Sequence, residues 1–164
     1  MKLIERLASH WALLGGIVVF AIMIVTSVNV GAFGLDRIAR MYGTNISALP
    51  GYEDFVKLAI SGAALMFFPY CQLQRGHVVV DLFVSSFPAG IVRFLDRLWL
   101  VAIVLLALFL TYWMILGMAE TRDDSVLSPV LGWPEWPFYL PGIASLILWA
   151  CVATLQAVRG DSHV

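Results

Sequence analysis

Ionisable side chains are almost missing from long parts of this chain. No Asp, Glu, Lys or Arg falls between Arg6 and Asp36, between Arg97 and Glu120, or between Glu135 and Arg159; between Asp54 and Arg75 the only one is Lys57. A small four-helix multidrug exporter needs a carboxylate inside the membrane, and none of these stretches holds an Asp or Glu. Cysteine is as scarce. Cys71 and Cys151 make no CxxC motif and sit in or at the ends of apolar runs, where thiols behave as small hydrophobes. That argues against a quinone-linked thiol oxidoreductase, which needs paired cysteines at an outer loop. Histidine occurs only at His10, His77 and His163, outside the apolar runs, which argues against axial haem ligation within the membrane. Net charge is −1 and the basic residues are scattered, so a nucleic-acid interface has no support.

What remains is apolar. Hydrophobic residues make up 61% of the 164 positions and charged ones 13%. Each charge-free stretch holds roughly 20 residues or more, enough at about 1.5 Å per residue to cross a hydrocarbon layer about 30 Å thick. Lipid offers the backbone no hydrogen-bond partner, so such spans must be helical. The expected fold is an all-α membrane protein with four transmembrane helices at about 11–34, 55–74, 98–118 and 138–158, forming a single domain over 1–164. Lys2 and Arg6 resemble the flank of a signal peptide, but the run from Trp11 to Gly34 is too long for a signal core, and a retained first span is expected.

Orientation follows from Lys and Arg in the connections. Lys2, Arg6, Arg75, Arg93, Arg97 and Arg159 lie on one side, against Arg37, Arg40 and Arg122 on the other; six against three places both termini in the cytoplasm. Trp11, Trp99 and the group Trp133, Trp136 and Tyr139 fall at span ends, where amphipathic rings favour the headgroup level; the last group could also dock a partner. Gly43, Pro50 and Gly51 break the first connection. In the second, Val78 to Phe87 is too short to cross and is expected to lie flat in the interface as a helical segment. The third is acidic, and Pro129, Pro134, Pro137 and Pro141 imply a stiff, kinked approach to the last helix.

Small residues cluster at Ser61 to Ala64, at Gly15 and Gly16, and at Gly31 and Gly34. Membrane helices approach closely at such places, either within this chain or against another protein. Glu53 precedes Lys57 by four residues, the favourable order for an ion pair, and a paired, snorkelling lysine is preferred to a substrate-binding one. After the second span, Arg75 is placed to meet a lipid phosphate or a partner carboxylate. His77 and Asp81 share a face if helix continues. A His–Asp pair can do acid–base work, but no nucleophile or metal cluster accompanies it, so a structural role is expected.

Glu53, then Gln74-Arg75-Gly76-His77 with Val80-Asp81 and Pro88, then Leu131-Gly132-Trp133-Pro134-Glu135-Trp136, Tyr139 and Pro141-Gly142 resemble the DctQ-like small membrane subunit of tripartite ATP-independent periplasmic (TRAP) transporters. The resemblance runs over essentially the whole chain; its motifs are individually short, and their order and spacing carry it. It implies a scaffold in the bacterial inner membrane, bound along a large multi-span subunit that carries the substrate and sodium sites. A periplasmic solute-binding protein would deliver an organic acid. On this reading the chain is no enzyme and holds no cofactor. Glu53, Lys57, Arg75, His77, Asp81, Trp133 and Trp136 are then subunit-interface or phospholipid-headgroup residues. The alternatives are an autonomous four-helix transporter and the membrane anchor of a redox complex.

Overall fold

A computed structural model describes residues 2–45, 48–74 and 89–159. Helix α1 runs Lys2–Ala39 and ends in a 3-10 turn, Arg40–Tyr42. Helices α2 (Tyr52–Leu65) and α3 (Phe68–Leu73) form one interrupted span. Helix α4 is Ala89–Asp123, and a second 3-10 turn, Trp136–Phe138, leads into α5, Tyr139–Arg159. Among the described residues the fold is all-helical, with four apolar spans of membrane length. The interfacial segment expected at Val78 to Phe87 lies outside the described residues, as do Arg75, His77 and Asp81.

Two helices are much longer than their apolar runs. At about 1.5 Å per residue, the 38 residues of α1 and the 35 of α4 reach well past a hydrocarbon layer about 30 Å thick. The edge of lipid is no helix stop. Helix α1 therefore continues through Asp36 and Arg37, whose polarity ends the span but not the backbone pattern. It stops where Gly43 takes a left-handed φ of 76° and its N–H returns to the Arg40 carbonyl. Similarly, α4 begins nine residues before position 98, where the charge pattern starts its span.

The second span is broken, a feature the charge pattern does not reveal. Pro69 has no N–H to donate to the Leu65 carbonyl, and its ring crowds that carbonyl. The Met66 N–H is accordingly shared between the Gly62 and Ala63 carbonyls, both at 3.2 Å, and the Phe67 N–H leaves the α ladder for the Ala64 carbonyl at 3.3 Å, before Cys71 N–H resumes it to Phe67 at 2.8 Å.

Packing follows from which faces carry small or matching side chains. A Cβ on Gly15 would lie 2.9 Å from Met66 Cβ and 3.3 Å from the Ala63 carbonyl oxygen, so α1 crosses α2 closely there. Gly62 faces Pro141 of α5 and the carbonyl of Phe138 in the 3-10 turn before it. Leu146, Trp149 and Ala153 of α5 meet Ile103 and Ala107 of α4 in the main apolar core. The chief contacts are α1 with α2 and α3, α2 and α3 with α5, and α5 with α4. The order across the molecule is thus α1, the broken span, α5, α4, and the outermost two are the least covered. In their most apolar windows 11% of α1 and 17% of α4 is buried, against 33% for the broken span and 44% for α5.

Candidate functional site

One end of this array carries the α1–α2 and α4–α5 connections, and there the chain builds a rigid cap. Asp54 is an acidic residue in the first turn of α2, where the helix dipole favours negative charge. Its Oδ2 accepts the backbone N–H of Val130 at 2.8 Å and of Leu131 at 2.9 Å, and the residue is only 6% exposed. These charge-assisted bonds fasten the α4–α5 connection to the start of the second span. Beside them Gly51, at φ 79°, opens α2. A Cβ there would lie 2.5 Å from Leu131 Cδ2, so glycine serves both the left-handed backbone and the close approach.

The connection is ordered internally as well. Ser128 N–H bonds the Trp133 carbonyl at 2.8 Å, and Trp133 N–H bonds Ser128 Oγ at 3.0 Å. Leu127 and Pro134 form an antiparallel bridge, and Gly132 turns the chain at φ 65°. Trp133 stacks on Phe138 with ring centroids 6.3 Å apart, and the Arg122 guanidinium lies 5.5 Å from the Trp136 ring centre. The prolines thus act within a hydrogen-bonded loop. Around the cap, Glu53, Lys57 and Asp124 are exposed and Glu135 is half-buried, giving a mixed, acid-leaning surface with aromatic patches.

Four of the residues singled out from sequence therefore share this cap: Glu53 and Lys57 on α2, Trp133 and Trp136 on the connection. Asp54 joins the two groups, and its partners 76 and 77 residues away gave no local signal. The ion pair expected between Glu53 and Lys57 is not formed among the described residues. Glu53 instead accepts the Tyr52 hydroxyl at 3.1 Å, a nearer partner, while Lys57 exerts its charge on the Asp54 carboxylate. Among the described residues, no group of three or more His, Cys, Asp and Glu is arranged to hold a metal ion.

Toward the opposite end a buried polar knot joins α3 to α5. Gln72 Nε2 donates to Gln156 Oε1 at 2.7 Å, Gln156 Nε2 donates to the Gln72 carbonyl at 3.0 Å, and Trp149 Nε1 donates to Gln72 Oε1 at 3.3 Å. The short α3 leaves its last carbonyls without helical partners, and Gln156 supplies one. Trp11 Nε1 donates to Ser145 Oγ at 2.8 Å, pinning α1 to α5. Two amides inside apolar runs are a readable signal, because buried amides need partners.

Along the spans, away from the cap, large apolar side chains are exposed on α1 and α4. Leu13, Ile17 and Phe20 on α1, and Leu105, Phe109 and Trp113 on α4, are exposed. Gly16, Gly31 and Gly34 meet nothing within 4 Å of a Cβ position, unlike Gly15 and Gly62. The small residues therefore divide into an inward set that packs this chain and an outward set on α1. Residues 35–162 match the family described as "Tripartite ATP-independent periplasmic transporters, DctQ component". No curated protein and no solved structure matches the chain.

Proposed function

The chain belongs to the DctQ family, the small membrane component of TRAP transporters, and on that premise we propose that it is the scaffold of such a transporter. It binds along a large multi-span subunit that moves the solute, and it holds that subunit's static part in the bilayer. The observation that carries the reading is the uneven cover of the four spans: the two outermost helices leave most of their apolar surface open. The scarcity of charge in the spans supports it too, since ion coupling needs ionisable or polar groups at membrane depth.

In this proposal both termini lie in the cytoplasm of a bacterium, as the Lys and Arg distribution favours, and the cap faces the periplasm. Its acidic and aromatic rim then offers a surface to the solute-binding protein, with Glu53, Lys57, Trp133 and Trp136 in reach. Arg75, His77 and Asp81 serve assembly or headgroup contact at the cytoplasmic side. Substrate is an organic acid driven in by an ion gradient, with sodium on the large subunit and no cofactor on this one.

The test is purification of the tagged chain from its native host in mild detergent, with mass spectrometry of what accompanies it. Stoichiometric recovery of one much larger multi-span protein is the expected result. Recovery of the chain alone, or as a homodimer, rejects the scaffold and favours a small autonomous transporter.

A further inference from the structure

The connection from α4 to α5 is longer than chain closure requires. The two helices pack side by side, and antiparallel neighbours are commonly joined by about 2–8 residues. Here residues 124–135 lie between the end of α4 and the 3-10 turn before α5. A linker that only closed the chain would also be free to move. This one is bonded within itself from Ser128 to Trp133, and its tip is held by Asp54 from 76 and 77 residues away. Excess length fixed in one shape is characteristic of a binding loop.

What the loop holds out is apolar. Leu127 is 57% exposed and Val130 61%, and both lie past Asp123 and Asp124, which close the α4 span toward water. Val130 donates one of the two N–H groups that Asp54 accepts, so the carboxylate sets where that side chain projects. Leu131, the other donor, turns back onto Gly51. Around the loop Glu53, Glu120, Asp123 and Asp124 are exposed, against Lys57 and Arg122. Exposed apolar residues rimmed by polar ones mark a protein contact. An acid-leaning rim repels anionic headgroups and complements a water-soluble partner whose own apolar spot is ringed by basic side chains. We propose that this loop is the docking platform for the solute-binding protein, with Leu127 and Val130 at its centre and Asp54 as its positioning residue. The proposal rests on the scaffold reading and adds to it the contact chemistry: a basic rim on the partner, and a platform shaped before the partner arrives.

Proteoliposomes holding this chain and the large subunit, titrated with the transporter's solute-binding protein at saturating solute and sodium, test this. Asp54→Ala should raise the binding-protein concentration for half-maximal uptake about tenfold, the effect of ordering one or two loop side chains on binding, while the maximal rate holds. Asp54→Asn should fall between, because its amide oxygen still accepts. Leu127→Ser with Val130→Ser leaves the Asp54 bonds in place and should raise that concentration by a similar factor. Asp123→Asn with Asp124→Asn should flatten its rise with added salt. An unchanged half-maximal concentration in Asp54→Ala or in the serine variant overturns the proposal. So does a fall in maximal rate alone, or loss of the large subunit from Asp54→Ala, which would place the loop against that subunit. Should Asp54→Ala lose helicity by circular dichroism, the serine variant decides. The scaffold reading fails differently: the unmodified chain then recovers no large subunit. In that case binding of the solute-binding protein to the purified chain alone decides, and no binding, or binding that the serine variant does not weaken, overturns the proposal.

Discussion

Asp54 and Gln72 show how single polar side chains hold this apolar chain in one arrangement. Asp54→Ala leaves the Val130 and Leu131 N–H groups without their acceptor. The connection from Asp124 to Glu135 should then be cut faster in limited proteolysis, with Asp54→Asn intermediate because its amide oxygen still accepts. Gln72→Leu removes the donor to Gln156 Oε1 and the acceptor of the Trp149 N–H, while Gln156 Nε2 keeps the Gln72 carbonyl. It should cost about 1–2 kcal/mol of stability in detergent, whereas Gln72→Leu with Gln156→Leu should recover part of that loss, because the Gln156 side-chain oxygen is then no longer left without its donor. Thermal unfolding of Gln72→Leu, Gln156→Leu and the double variant checks this; a double variant worse than both singles contradicts it. Glu53, Lys57, Trp133 and Trp136 were legible in the sequence as residues at or near the ends of apolar spans, and they share one end of the helical array. Asp54 was legible only as an acid near a helix start, since its partners lie 76 and 77 residues on. The spacing of Glu53 and Lys57 permitted an ion pair, but an adjacent hydroxyl supplied the carboxylate's partner.

Among the helices, Gly15 and Gly16 offer a controlled contrast. Gly15→Ala forces a Cβ to 2.9 Å from Met66 Cβ and should destabilise the α1–α2 crossing by about 1–3 kcal/mol. Gly16→Ala meets open space and should be neutral or slightly stabilising, by up to about 1 kcal/mol, through reduced backbone freedom. Equal effects of the two substitutions in a thermal melt contradict the crossing geometry. The four spans could be read from charge spacing because lipid forbids any other backbone solution. Their ends could not, because α1 and α4 run on through charged residues that close a span without capping a helix. The break before α3 had a plain signal in Pro69 that the count of apolar residues conceals. The role of each small residue was also hidden, since the sequence does not say which face of α1 meets α2.

For the molecule as a whole, the open arrangement is the main feature. Helix α5 and the broken span form the middle, and α1 and α4 present apolar flanks. In the scaffold reading, substitutions on the exposed α4 face, such as Leu105→Ala together with Phe109→Ala, should reduce recovery of the large subunit while leaving the isolated chain's melting temperature within about 2 °C of its starting value, as expected for exposed sites. A matched loss of stability would mean that this face packs the chain itself. The most direct measurement is uptake of radiolabelled organic acids into proteoliposomes under a sodium gradient, with this chain alone, with the large subunit and binding protein alone, and with all three. The expected result is no uptake by this chain alone and full uptake only with all three present. Solute movement by this chain alone contradicts the scaffold account.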